Sequence, residues 1–155
     1  MIVVGVYLLV RSGKLSMATS APPFPMEMKL AHMAIRASIG DAEDKKDPLP
    51  FQDFNMLAGA KVYKEHCAFC HGAPQQPHPA IAKAMYPPPP QLFETKDMVT
   101  GDPEGETYWK VVHGIRLTGM PGFGDILTDT ECWQVTMLVA HADKLPHTAQ
   151  VAFEH

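Results

Sequence analysis

Residues 67–71 read Cys67-Ala68-Phe69-Cys70-His71, and this short run constrains the chain more than any other. Two thiols a helical turn apart lie on one face, where each can form a thioether to a vinyl group of one porphyrin. The adjacent histidine then reaches the iron from the proximal side, imidazole being a usual axial haem ligand. A zinc site is the rival reading, and it needs a fourth ligand at a suitable spacing. A bare dithiol is the other, and it leaves the histidine without a role. On the haem reading, the chain builds its core around a flat, largely apolar group.

At 155 residues the chain holds one modest domain with appendages. Residues 1–50 carry six Lys/Arg and five Asp/Glu, whereas residues 51–147 carry seven against eleven. No basic block exists, which argues against a nucleic-acid partner. The three cysteines are Cys67, Cys70 and Cys132. With the first two engaged by the motif, Cys132 reads as a small buried apolar residue, and no disulfide framework is expected.

Residues Ile2 to Val10 are almost wholly apolar, yet nine helical residues cover only about 14 Å against about 30 Å of bilayer hydrocarbon. The segment is expected to be a truncated membrane anchor or signal segment, occupying residues 1–17. Arg11 and Lys14 after it run against the usual charge bias of an outward-facing chain. A short buried segment or a docking tail is the competing interpretation. Ser20 to Pro25 is a stiff proline-rich spacer. A helix is expected over Met26–Ile39, with Pro25 in its first position and Gly40 as its stop. Leu30, Met33, Ala34 and Ala37 share one face of it, to be covered by the main domain or by another subunit. Asp41 to Pro50 reads as a charged linker, so residues 18–50 form spacer, helix and linker.

The main domain is expected over residues 51–147, with 148–155 as a tail. Phe51 to Cys67 reads as a helix running into the motif, with Gly59 marking close approach of a second helix. After His71 periodicity is lost, apart from a short helix expected over Ala80–Met85. The run Tyr86-Pro87-Pro88-Pro89-Pro90-Gln91-Leu92 follows. Four prolines leave no N–H to satisfy and can lie flat against an apolar ring. Such runs also bind SH3 or WW domains, a role that does not suit an exported haem protein. Asp102-Pro103-Glu104 opens a helix that carries Tyr108, Trp109 and Val112 to His113, where Gly114 stops it. Met120 then stands in the glycine- and proline-fixed run Gly114 to Phe123. A thioether there suits the sixth iron position, and His113 is the rival ligand. Arg116 could pair with a haem propionate or simply stay solvated. Thr128-Asp129-Thr130-Glu131 is a capping box that starts the last helix. On that helix Trp133 is expected to fill the space over Gly59 and Tyr63.

Together CAFCH, YPPPPQL and GIRLTGMPGFG make residues 51–146 resemble a class I monohaem cytochrome c of the bacterial, often membrane-anchored kind. The resemblance implies an all-α fold packed around one covalently attached haem c. It implies thioethers at Cys67 and Cys70, and His71 and Met120 as iron ligands. A proline carbonyl holds the proximal imidazole in such proteins, and Pro74 is the candidate here. The full cofactor-binding set expected is Cys67, Cys70, His71, Pro74, Tyr86, Leu92, Trp109, Arg116, Met120 and Pro121. The implied function is one-electron transfer rather than catalysis, because both axial positions are filled. The setting implied is the periplasmic face of the bacterial inner membrane, as a tethered carrier or as a subunit of a larger respiratory complex. The partners are then redox proteins, with the membrane engaged through the N-terminal segment. A haem enzyme or gas sensor with an open sixth position is the alternative function. The chain lacks the ring of lysines of mitochondrial members, so docking to a strongly acidic partner is not expected.

Overall fold

A computed structural model describes residues 2–154. Its secondary structure is helical throughout, with no strand among the described residues. In chain order the helices are α1 (Ile2–Arg11), α2 (Glu27–Ile39), α3 (Asp53–His66), α4 (Ala68–His71), α5 (Ala80–Ala84), α6 (Glu104–His113), α7 (Asp129–Ala140) and α8 (His147–Val151). Short 3-10 turns cover Gly40–Asp44 and Ala142–Lys144.

The core is the crossing of α3 and α7. Met56, Ala60, Val62 and Tyr63 of α3 meet Val135, Leu138 and Val139 of α7, all of them buried. Gly59 makes the crossing possible. A Cβ there would lie 2.2 Å from the Gln134 carbonyl oxygen and 3.2 Å from Leu138 Cβ. The expected close approach is real, but its partner is the backbone at Gln134 rather than Trp133. The indole instead stacks on Tyr108 of α6, with ring centroids 4.0 Å apart and planes 13° from parallel. The reason is angular: Trp133 and Gln134 are neighbours on one helix, so when Gln134 faces Gly59 the indole points about 100° away. Two buried amides also bridge the helices, Gln134 Nε2 donating to Asn55 Oδ1 at 3.0 Å.

Thr128 caps α7 as its sequence predicts. Its hydroxyl accepts from the Glu131 N–H, and the Glu131 carboxylate accepts from the Thr128 N–H. Cys132 is buried as expected, at 1% exposure, and burial pushes its thiol pKa up.

Four expectations are corrected. Pro25 lies outside α2, whose cap is Met26 in a left-handed conformation, and Pro103 rather than Asp102 caps α6. The stretch read as a linker is held down. The Gly40–Asp44 turn packs on the start of α6, where a Cβ on Gly105 would meet the Ala42 carbonyl at 2.1 Å. The Asp47 N–H also donates to Glu104 Oε2. Finally, the tail is structural: α8 lies against α3, Ala149 is fully buried, and Phe153 packs edge-on against Tyr63 and Phe93. The apolar stripe of α2 stays largely open, with Leu30 and Met33 half exposed, and Val3 to Val10 of α1 are exposed too.

Candidate haem-binding site

The motif begins where α3 ends. Cys67 still donates its N–H to the Tyr63 carbonyl, and the chain re-enters a helical turn, α4, over the remaining four motif residues. His71 and Gly72 donate to the carbonyls of Cys67 and Ala68 at 2.9 and 3.0 Å. Gly72 then ends the turn with φ 72°, a left-handed value that glycine adopts freely. This geometry brings Cys67, Cys70 and His71 to one wall of a cleft.

Burial, with a smaller push from Cys70, raises the Cys67 thiol to about 12, so it stays protonated at neutral pH. No group of three or more His, Cys, Asp or Glu side chains among the described residues could hold a metal ion. The zinc reading therefore lacks its ligand set.

His71 Nδ1 bonds the Pro90 carbonyl at 2.8 Å. Since a carbonyl only accepts, Nδ1 carries the proton and Nε2 is left with its lone pair free. Burial lowers the histidine pKa, against the opposing pull of that bond, so the ring is neutral. Pro74, expected as the acceptor, has that role taken by Pro90. The carbonyl that reaches His71 comes from the proline run, nineteen residues on in chain order.

A further part of the lining comes from the run between Gly114 and Phe123. This run folds back over the end of α6, with the N–H groups of Phe123 and Gly124 donating to the carbonyls of Val111 and Val112. Gly114 makes the reversal at φ 66°, and Gly122 lies so close to His113 that a Cβ would stand 2.8 Å from its carbonyl carbon. Within this run Met120 is pinned twice. Its N–H donates to Thr118 Oγ1 at 3.1 Å, and its carbonyl accepts from the Ile115 N–H at the same distance. Thr118 in turn donates its hydroxyl to the Ile115 carbonyl at 2.7 Å. Sequence reasoning missed Thr118, although a hydroxyl two residues before a fixed methionine is a recognisable turn-forming signal.

Of the expected cofactor-binding residues, the cleft brings together Cys67, Cys70, His71, Met120 and Pro121. Pro87 to Pro90 form the expected proline wall, with Tyr86 next to them in sequence and outside the lining. Leu92 packs into the core beneath. Trp109 faces His113, ring centroids 4.9 Å apart, and lines no part of the cleft. Arg116 is exposed and is not among the residues lining the cleft. His113 is exposed as well and absent from the lining, whereas Met85, which the sequence reading passed over, is present. Met85 reaches across to Gly119, where an added Cβ would meet its terminal methyl. The remaining lining is apolar, from Val111, Ile115 and Phe123.

These residues fit a haem: two cysteines one turn apart, an imidazole with Nε2 free, a methionine in the same lining and apolar side chains between them. Comparison with known proteins agrees. A family profile described as "Cytochrome C oxidase, cbb3-type, subunit III" matches residues 54–137. The cbb3-type cytochrome c oxidase subunit FixP of Sinorhizobium medicae (strain WSM419) is 30% identical over 110 residues, covering 64% of this chain and 35% of that protein. FixP of Rhizobium meliloti (strain 1021) matches over the same extent with the same identity. The chain thus spans about a third of the length of the curated relatives it matches. Among solved structures, a reducing HAO-like protein complex of Kuenenia stuttgartiensis superposes with a TM-score of 0.48 at 25% identity, over 63% of this chain and 49% of that one.

Proposed function

Because the chain belongs to the cytochrome c family of cbb3-type oxidase subunit III, we propose that it carries single electrons on one haem held by Cys67, Cys70, His71 and Met120. The haem supplies the redox couple, and the protein supplies binding, axial ligation and a dry setting. The observation that carries this reading is convergence: both thiols, the free Nε2 side of His71 and the pinned Met120 border one cleft. Cys67 and Cys70 would hold the porphyrin covalently. His71, neutral and oriented by Pro90, would present Nε2 to the iron. Met120 would present its sulfur from the run between Gly114 and Phe123, a pairing that raises the potential of cytochromes c. With two protein ligands on the metal no substrate reaches it, which favours electron transfer over catalysis. Residues 51–147 form the working domain in this reading, with the α8 segment added to it by its packing on α3.

We assign the chain to a multi-subunit redox assembly, on the strength of its FixP relatives, and place it on the periplasmic face of the bacterial inner membrane because of its haem-attachment motif. No helix among the described residues is long and apolar enough to cross a membrane. The exposed apolar residues of α1 and the open stripe of α2 offer surfaces for lipid or for a neighbouring subunit.

Mass spectrometry of the chain matured in its natural host tests the attachment: Cys67 and Cys70 should both carry the haem, and unmodified thiols would overturn the reading. The oxidised protein should show the absorption band of a methionine–iron bond and lose it in Met120→Ala. Copurification of the native chain with a large membrane assembly tests the setting.

A further inference from the structure

We propose that Gln91 is the positioning residue of the proximal side, the side chain that ties the proline wall to the motif helix and so fixes the Pro90 carbonyl used by His71. This inference rests on the haem assignment above. The need for such a tie follows from the wall itself. Pro87 to Pro90 have no N–H group, so nothing within that run can donate a hydrogen bond to α4. The first donors after it belong to Gln91. Its backbone N–H is already committed to Asp97 Oδ2 at 3.0 Å. Only its side-chain amide remains, and its two N–H bonds go to Cys70 O at 3.2 Å and Pro89 O at 3.1 Å.

Cys70 is in the last turn of α4, where carbonyls have no helical donor of their own. One amide group therefore bridges the residue before His71 and the residue before Pro90. The Pro90 carbonyl, one residue further on, is the group that His71 Nδ1 addresses.

The far end of the same amide shows what this placement demands. Gln91 is only 6% exposed, and its Oε1 is buried with no hydrogen-bond partner. Turning the amide over would aim that oxygen at two carbonyl oxygens, so the orientation is fixed by chemistry. Oε1 rests instead against Gly72, where a Cβ would stand 2.6 Å away. Gly72 is itself held, its carbonyl accepting from the Tyr63 hydroxyl at 2.9 Å. Burying an unsatisfied acceptor is unfavourable, and the two carbonyl contacts at the other end offset it.

The consequence concerns the iron ligand. A hydrogen bond from the far ring nitrogen to a fixed carbonyl orients a ligating imidazole and raises its basicity, which favours the oxidised metal. Releasing the Pro90 carbonyl should therefore favour the reduced state. Gln91→Met keeps the side-chain length and apolar fill and removes both donors. In this variant the haem should stay attached by mass and the methionine–iron band should persist. At a fixed ambient potential the reduced-to-oxidised ratio should rise by about tenfold. Exchange of the His71 Nδ1 proton with solvent, read by NMR on the reduced protein, should quicken in parallel. Gln91→Asn keeps the donors on a shorter stem and should fall between parent and Gln91→Met; it decides by the same two readouts if Gln91→Met fails to mature. Attached haem and an intact band, with ratio and exchange rate both unchanged, would overturn the role of Gln91 alone. Absence of haem from the parent chain would instead overturn the site assignment beneath it.

Discussion

Replacing Thr118 by valine removes one oxygen and adds one methyl in nearly the same volume, and the effect on Met120 can be worked out bond by bond. The hydroxyl donates to the Ile115 carbonyl at 2.7 Å and accepts from the Met120 N–H at 3.1 Å. What survives in the variant is the Ile115 N–H to Met120 carbonyl bond at 3.1 Å and the Thr118 N–H to Ile115 carbonyl bond at 3.2 Å. Those two must then hold a loop in which Leu117 sits at φ 62°. That conformation costs a non-glycine residue about 1 kcal/mol, so the loop relaxes when its ties are cut. Each lost bond is worth about 1 kcal/mol, giving about 2 kcal/mol, or about thirtyfold in the equilibrium between methionine bound and methionine displaced. Water can partly replace the hydroxyl in this half-buried loop, which sets the lower end at about tenfold. Titration of the oxidised protein with imidazole, a competitor for the sixth position, reads that equilibrium directly. Thr118→Val should bind imidazole about ten- to thirtyfold more tightly than the parent, and Thr118→Ser should stay within about twofold of it. Equal affinity in Thr118→Val and parent would refute the claim that this hydroxyl holds Met120 in place.

Gly59→Ala drives a Cβ to within 2.2 Å of a backbone oxygen that cannot step aside. Helix propensity gains about 1 kcal/mol and overpacking loses about 3, so denaturant unfolding should show a net loss of about 2 kcal/mol. Phe153→Ala removes a buried ring from the contact with Tyr63 and Phe93 and should cost about 3 kcal/mol, whereas a dispensable tail would show no change. Met85→Leu should keep the methionine–iron band, because Met120 and not Met85 is held by hydrogen bonds at both its N–H and its carbonyl. Glu131 has its carboxyl pKa lowered from the ordinary 4.5 by the Thr128 N–H and hydroxyl. Its contribution to stability is therefore fully present above about pH 4.5 and is lost as the pH falls through the lower folded value. Glu131→Gln should flatten that acid limb of the stability profile.

The elements visible from sequence were those written in local terms. The Thr128–Glu131 box, the stops at Gly40 and Gly114, and the run of α3 into the motif each depend on residues within one turn of one another. The lining of the cleft was legible at Cys67, Cys70, His71 and Met120, because the five-residue motif marks the first three and the glycine- and proline-fixed run marks the fourth. Errors arose where a residue's partner is set by the path of the chain. Pro74 and Pro90 are both prolines after the motif, and only the course of the intervening loop decides which carbonyl returns to His71. Size and face point Trp133 at Gly59, yet a shift of one residue along α7 puts Gln134 there and turns the indole to Tyr108. The docking of residues 40–47 on α6 hinges on Gly105 and Glu104, two residues with no marking beyond their place in a first turn.

The same distinction between local and returning contacts divides the cleft into two halves held by separate sets of hydrogen bonds. Residues 70–72 are gripped by α3 through Tyr63 and by the proline return through Pro90 and Gln91. Met120 is gripped within its own turn, and that turn is laid on α6 through the Val111 and Val112 carbonyls. No hydrogen bond among these joins one set to the other. Substitutions at Gln91 should therefore alter the histidine side while leaving methionine ligation intact, and substitutions at Thr118 should do the reverse. A double variant should then show the Gln91 effect on His71 Nδ1 proton exchange and the Thr118 effect on imidazole affinity, each at the size seen in its single variant. Strong non-additivity would mean that the two walls move as one body, against the bonding pattern that separates them.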